Sequence, residues 1–155
     1  MTIAEAIARI DRLCPNQYTT ADKVLWLSKL DGRIWREVLM THECPSVQEW
    51  EGYSSETETV GGETVLVDRD VELLVPYPYD EDVYTNFLAA QIAKENAETA
   101  KYNVSIALFD GAYSAYQKLY NRTHMPVRPT YNVSYGRRWN EWPCTRECRR
   151  SGPLS

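Results

Sequence analysis

The chain has 155 residues, the length of one domain with an appended tail, and can bury a core without a metal or a disulfide. Its net charge of −5 argues against a general nucleic-acid-binding protein. The charge is unevenly distributed, since residues 126–155 contain six arginines and two glutamates, a balance of +4, so the first 125 residues carry −9. An acidic body followed by a basic, aromatic tail is the main charge feature.

The amino-terminal segment and the apolar runs argue against secretion and membrane insertion. Residues 1–13 form an amphipathic pattern without the hydrophobic core of a signal peptide. No apolar run approaches the length of about 18 residues that a membrane-spanning helix needs. We therefore expect synthesis in the cytoplasm and no membrane partner.

The four cysteines raise the question of a zinc site. His42 with Cys44, and Cys144 with Cys148, could supply four ligands, but their spacing lacks the paired knuckles of structural zinc sites. Reduced thiols without a special role, Cys14 included, are the favoured interpretation. We expect no metal and no cofactor.

Two helices are predicted at the start of the chain. The first covers Thr2 to Leu13, with Thr2 and Glu5 at the spacing of a capping box. The second covers about residues 21–42, is capped by Thr19 or Thr20 and ends before Pro45. Gly32 weakens this second helix by about 1 kcal/mol relative to alanine, so tertiary packing must hold it.

A β-hairpin is predicted within an insertion at about residues 46–75. Residues 57–60 and 63–67 alternate Glu, Thr and Val around a Gly-Gly turn. Two strands alone are marginally stable, so the hairpin must lean on the helices or on a neighbouring chain. It is either an arm that contacts another chain or a decorated loop. In the first case the contact is made by the tip, Val60, Gly61, Gly62 and Glu63.

The third and fourth helices are predicted at about residues 81–95 and 100–125. Asp80, Glu81 and Asp82 place negative charge at the start of the third helix, where the helix dipole favours solvated carboxylates. One stripe of the fourth helix is apolar and rich in tyrosine: Tyr102, Ile106, Phe109, Tyr113, Tyr116 and Tyr120. A second row lies beside it: Ser105, Leu108, Ala112, Ala115 and Leu119. So broad an apolar face predicts a central helix that is covered from more than one side, with a subunit contact as the alternative.

The tail, residues 126–155, has four prolines and no helical period, yet it is too aromatic for an ordinary disordered terminus. Alternation at residues 131–135 suits a strand added to the edge of a partner's sheet, and Arg and Trp are common interface anchors. We expect the tail to dock onto another chain, the alternatives being that it wraps over its own helices or binds nucleic acid. The candidate contact residues are Tyr131, Val133, Tyr135, Arg137, Arg138, Trp139 and Trp142.

Residues that would support catalysis are scarce. The two histidines, His42 and His124, both lie at predicted helix ends, which is common without any catalytic role. None of the common nucleotide-binding, hydrolase or metalloprotease motifs occurs. We expect no enzymatic activity.

Two stretches resemble a known family. LLVPYPYDEDVYTNFLAAQIAKENAETAKYN and ALFDGAYSAYQKLYNRTHMP are similar to the helical head–tail connector (adaptor, or head-completion) proteins of long-tailed phages and prophages. The opening, AIARIDRLCPNQYTTADKVLWLSKLDGRIWREV, fits the same succession of one short and one long helix. The similarity covers about residues 1–125 and consists of helix patterns without a catalytic signature.

The resemblance implies a virion protein that forms a ring, typically of twelve copies, under the portal. In that family the C-terminal segment commonly engages the portal, loops face the tail-proximal neck (stopper) protein, and DNA passes through the lumen. The hairpin and the long Cys-containing tail depart from the simplest adaptors, and leave open which partner each of them meets. An acidic lumen would repel the DNA that slides through it.

The predicted fold is therefore mainly α: a four-helix bundle, residues 1–125, with an inserted β-hairpin and an extended C-terminal docking tail, residues 126–155. The predicted function is a structural connector in the phage neck. The alternative is a small cytosolic regulator that binds nucleic acid through its Arg-rich, aromatic tail.

Overall fold

A computed structural model describes residues 1–60 and 63–127. In this part of the chain, four α-helices occur with a β-hairpin between the second and the third, which confirms the mainly-α prediction. The helices are α1 (Ile3–Leu13), α2 (Thr20–Glu37), α3 (Asp80–Glu95) and α4 (Thr99–Thr123). The strands are β1 (Thr57–Val60) and β2 (Glu63–Leu66), and a short 3-10 helix covers Leu39–Thr41.

Two capping boxes fix where α1 and α2 begin. The Thr2 hydroxyl accepts the Glu5 backbone N–H at 3.3 Å, and the Glu5 carboxylate accepts the Thr2 backbone N–H at 2.8 Å. Thr19 and Asp22 repeat the arrangement at α2, so Thr19 is the cap. The Thr19 hydroxyl also donates to the Asp22 carboxylate at 2.7 Å, and this bond lowers the pKa of Asp22. Both boxes satisfy backbone donors that a helix leaves unpaired.

Helix α2 ends earlier than predicted. It stops at Glu37, and a 3-10 turn replaces its expected last turn. The Val38 carbonyl accepts the Thr41 hydroxyl at 2.8 Å and lies 2.8 Å from Nδ1 of His42, so side chains take the place of backbone donors. His42 itself adopts extended backbone and forms an antiparallel bridge with Pro126.

Helix α3, not α4, is the centre of the bundle. It packs against α1, α2 and α4, whereas α4 packs mainly on α3. Val83, Tyr84 and Leu88 of α3 are completely buried, and Ala90 on another side of the helix is buried as well. The prediction of α4 as a helix covered from several sides is therefore wrong.

One face of α4 is buried and the opposite face is open. Phe109, Tyr113, Tyr116 and Tyr120 of the predicted stripe lie in the core, while Tyr102 and Ile106 nearer the amino end are half-buried. In the second row, Leu108 and Leu119 remain exposed. Apolar periodicity shows which positions of a helix lack charged side chains, and in α4 the described residues cover only part of that apolar surface.

The hairpin has the predicted register and leans on the body. Thr57 pairs with Leu66 and Val60 with Glu63, in antiparallel order. Leu66 is buried in the core, and the Val67 N–H donates to the Glu56 carbonyl at 3.0 Å, which extends the ladder beyond the strands. The hairpin is therefore attached at its base.

The acidic start of α3 is less solvated than predicted. Asp80 is buried and accepts a hydrogen bond from the Met1 amino group at 3.0 Å, and Glu81 forms an ion pair with Arg9 of α1. The first residues also run beside residues 69–73, where the Ile3 N–H donates to the Val71 carbonyl at 3.1 Å. These contacts join α1 to α3, whereas the sequence pattern predicted solvated carboxylates at the start of α3.

Candidate partner-binding surfaces

Most of the predicted contact residues lie outside the described part of the chain. Val60 and Glu63 are the last residue of β1 and the first of β2, where they pair with each other, while Gly61 and Gly62 fall in the gap between them. All seven predicted tail residues also lie outside: Tyr131, Val133, Tyr135, Arg137, Arg138, Trp139 and Trp142. Their role in binding stays a prediction.

The first two residues of the tail are bonded to the body. After α4 the chain turns back and runs antiparallel to residues 41–43. The Glu43 N–H donates to the Met125 carbonyl at 2.8 Å, and the Val127 N–H donates to the Thr41 carbonyl at 2.9 Å. The position from which the remaining tail departs is therefore fixed.

A groove lies beside this departure point. It has a volume of about 510 Å³ and lies between the segment before α3 and the C-terminal end of α4. Its lining includes Leu74, Tyr77, Leu119, Tyr120 and His124, and we call it the Leu119 groove. The Tyr77 side chain is 87% exposed and that of Leu119 39%, so the walls present apolar surface to solvent.

Tyr120, in the lining of this groove, is held between two histidines. His124 stacks on its ring at a centroid distance of 3.8 Å, and His42 meets it edge-on at 5.0 Å. The Tyr120 hydroxyl is buried without a hydrogen-bond partner among the described residues, and burial raises its pKa. An unpaired buried hydroxyl costs about 1–3 kcal/mol, so a ligand that supplied a polar atom there would gain free energy.

The open face of α4 carries a second apolar surface. Val104 is 62% exposed and Leu108 56%, and Gly111 one turn further has no atom within 4 Å of the place where a side chain would begin. The spacing 104, 108, 111 puts the three on one line, which we call the α4 stripe. It lies opposite the buried tyrosines, so the described residues leave it uncovered.

The amino-terminal end of the α4 stripe borders a further cavity. This cavity, of about 620 Å³, lies between the end of α1 and the helices α3 and α4. Leu13, Ile92 and Val104 contribute apolar walls, and Lys101 and Glu98 form an ion pair of 2.9 Å in the lining. Stripe and cavity together form a continuous apolar surface with a charged edge.

A basic face on α2 contrasts with the acidic body. Lys29, Arg33 and Arg36 follow one another at helical spacing on exposed positions. They line a cavity of about 550 Å³ together with Trp35 and Trp50, but Glu37 and Glu51 belong to the same lining and Glu37 forms an ion pair of 3.0 Å with Arg33. Sequence reasoning missed this face because the net charge of −9 averages over the body, although the 29, 33, 36 spacing was visible.

A buried carboxylate holds the inserted segment to the bundle. Asp31 of α2 has no exposed surface, and its Oδ1 accepts the Tyr84 hydroxyl of α3 at 2.6 Å. Its Oδ2 accepts the Leu74 N–H at 3.1 Å and the Tyr53 hydroxyl. The Tyr84 hydroxyl in turn accepts the Val75 N–H at 2.9 Å. One side chain thus ties both ends of the insertion to α2 and α3.

The protonation of this network follows from its burial. Desolvation raises the pKa of Asp31, and the three hydrogen bonds it accepts oppose that rise. The pKa values of Tyr53 and Tyr84 are raised as well, first by burial and then by the neighbouring carboxylate. Hydrogen-bonded groups that satisfy one another in this way are typical of a structural network.

The described residues contain no group of three or more His, Cys, Asp or Glu side chains that could hold a metal ion. Of the four ligands considered for zinc, His42 is buried against Val38 and Tyr120, whereas Cys144 and Cys148 lie outside the described residues. Within residues 1–60 and 63–127, no helix has the length and apolarity to cross a membrane.

Comparison with known proteins adds no relative. The chain matches no protein-family model, no curated protein and no solved structure.

Proposed function

We propose that this chain is a structural subunit of the neck of a tailed phage. As a head–tail connector it would form a ring, of about twelve copies by the family resemblance, between the portal and a tail-proximal neck protein. DNA would pass through the lumen of the ring without sequence-specific binding. The proposal places the mature protein in the virion.

The α4 stripe is the observation that carries this proposal. Val104 and Leu108 would each lose the larger part of their exposed apolar surface on contact with a neighbouring copy. At about 25 cal/mol per Å² of apolar surface, a few such side chains supply several kcal/mol for each contact. A ring repeats that contact at every subunit, so a modest contact free energy suffices.

The base of the hairpin supports a projecting arm. Leu66 is buried in the core, and Asp68 near the end of β2 accepts the Ser54 N–H at 2.6 Å. The hydroxyl of Tyr53, which precedes Ser54 in the chain, donates to the buried carboxylate of Asp31. An arm that is fixed at its base in this way suits contact with the next ring.

Charge separation supports a connector as well. Residues 128–155 carry six arginines and two glutamates, and the remaining residues carry −9. A basic tail can therefore reach an acidic surface on a partner while the acidic body repels DNA. We propose that the tail residues with Arg and Trp, above all Arg137, Arg138, Trp139 and Trp142, engage the portal.

The first experiment is electron microscopy of the particle with which the chain copurifies. A ring between portal and tail that contains this chain is the expected result. Deletion of residues 128–155 should leave a folded body that no longer joins the particle. A truncated chain that still assembles would refute the docking role of the tail.

The α4 stripe is tested separately. Leu108→Arg places a charge on the stripe and should abolish ring formation while the circular dichroism spectrum and thermal midpoint stay unchanged. Asp110→Arg is the matched control, because it introduces the same side chain at an exposed position of the same helix. Equal assembly of the two variants would remove α4 from the subunit contact.

The nucleic-acid-binding regulator remains the alternative. It predicts a free chain that is absent from virions and whose affinity for nucleic acid falls steeply with salt. Absence from any particle together with such a salt dependence would replace the connector proposal.

A further inference from the structure

We infer that, in the free chain, the first part of the tail binds the Leu119 groove of the same molecule. The bound segment is residues 128–135, and Tyr131 is its main contact. This inference concerns the chain before any assembly and does not rest on the connector function. It assigns an occupant to the groove and a binding site within the same molecule to the tail.

Position is the first argument. Val127 is bonded to Thr41, and two residues of the groove lining, Thr123 and His124, lie only a few positions before it. Tyr131 follows Val127 by four residues, which an extended chain spans in about 13 Å. The groove is therefore within reach of the first aromatic side chain of the tail.

Chemical match is the second argument. Tyr77 and Leu119 offer exposed apolar walls, and Tyr131 and Val133 are two positions apart in the sequence, the spacing at which an extended segment would present both side chains on one face. A tyrosine ring packs on such walls and keeps its hydroxyl available for a polar partner. The unpaired hydroxyl of Tyr120 is a polar atom in the same groove.

Charge is the third argument. Glu72 is exposed and belongs to the lining of the groove. The first charged residue of the tail is Arg128, in a segment that carries +4 against −9 for the rest of the chain. Opposite charges at the rim favour the bound segment and make its binding weaker at high salt.

The tail of the same chain has an advantage over any other occupant. A short flexible connection gives its segment an effective concentration in the millimolar range. A second copy at micromolar concentration competes with it at a disadvantage of about a thousandfold. Any occupant from another molecule must therefore displace the segment.

Site-specific photo-crosslinking tests the inference in the full-length chain. Tyr131 is replaced by p-benzoylphenylalanine, the chain is irradiated at about 1 µM, a concentration well below the effective concentration of the tail, and the crosslinked peptides are mapped by mass spectrometry. We expect adducts of monomer mass with peptides that contain Tyr77 or Leu119. Adducts of dimer mass, or adducts elsewhere on the body, would overturn the inference.

Groove variants provide the matched comparison. Leu119→Arg should lower the yield of groove adducts about tenfold, as the loss of one buried apolar contact implies, whereas Leu108→Arg on the open face of α4 should not. Tyr77→Asp repeats the test at an 87% exposed side chain, so its effect does not depend on the integrity of the fold. Equal yields in all three variants would also overturn the inference.

Discussion

The hydroxyl of Tyr84 makes two bonds, and its removal should cost more than the removal of any other tyrosine hydroxyl in the network. In Tyr84→Phe, the Asp31 carboxylate loses a donor at 2.6 Å and the Val75 N–H loses its acceptor at 2.9 Å. Tyr84, Asp31 and Val75 have no exposed surface, so water cannot replace either partner.

The magnitude follows from these two losses. Each buried group left unsatisfied costs about 1–3 kcal/mol, so we expect a destabilisation of about 4 kcal/mol for Tyr84→Phe. Tyr53→Phe removes one bond from an oxygen that keeps the Leu74 N–H, and should cost about 1–2 kcal/mol. Tyr102→Phe, at a half-exposed position of α4, is the control and should stay within about 0.5 kcal/mol.

Urea denaturation followed by circular dichroism measures these differences. With a slope of about 2 kcal/mol/M, the unfolding midpoint of Tyr84→Phe should fall by about 2 M and that of Tyr53→Phe by about 0.5–1 M. A Tyr84→Phe midpoint no lower than that of Tyr53→Phe would refute the argument that the network ties the insertion to α2 and α3.

Three further predictions follow from the described contacts. Because burial raises the pKa of Asp31, the stabilising contribution of its protonation is complete below pH 3.8 and is lost as pH rises through the raised pKa. The unfolding free energy of the wild type relative to Asp31→Asn should therefore fall as pH rises from 3.8 through the raised pKa. A difference that does not change with pH would contradict the raised pKa of Asp31. Thr19→Ala removes the α2 cap, so the thermal midpoint should fall by about 3 °C, corresponding to about 1 kcal/mol. In a carboxylate NMR titration of this variant, the pKa of Asp22 should rise toward its ordinary value. An unchanged pKa of Asp22 would refute the capping geometry. Gly32→Ala places a methyl group 2.8 Å from Nε1 of Trp50, so the indole ring must move. In a chain whose other tryptophans are replaced, the fluorescence emission of Trp50 should therefore shift. An unchanged emission spectrum would show that the contact is absent.

Local signals were enough to predict the helices and the hairpin. Thr2 with Glu5, and Thr19 with Asp22, are side-chain pairs three residues apart that satisfy backbone donors, so the sequence itself shows where α1 and α2 begin. The hairpin register follows from alternation and the Gly-Gly turn. Each of these signals depends on neighbours in sequence.

What sequence reasoning missed depends on residues distant in sequence. No neighbour in sequence marks Asp31 as the centre of a network, because Tyr53 and Tyr84 lie 22 and 53 residues away. A carboxylate on the same helical face as Leu27 and Ile34 was the signal that could have found it. The exposure of Leu108 and Leu119 in the second apolar row of α4 was likewise missed, since periodicity cannot tell which apolar face a chain covers by itself.

The order of synthesis gives the contacts of α1 a consequence for folding in the cell. The Ile3 N–H donates to the Val71 carbonyl and the Leu73 N–H to the Met1 carbonyl, so the partner of the first residues is made only after α2 and the hairpin. Until then the apolar face of α1, with Ile3, Ile7 and Ile10, has no α3 to cover it. Closing so long a loop is entropically costly and slow compared with forming a helix. The native contacts between α1 and α3 should therefore form only once the amino half of α3 has been made.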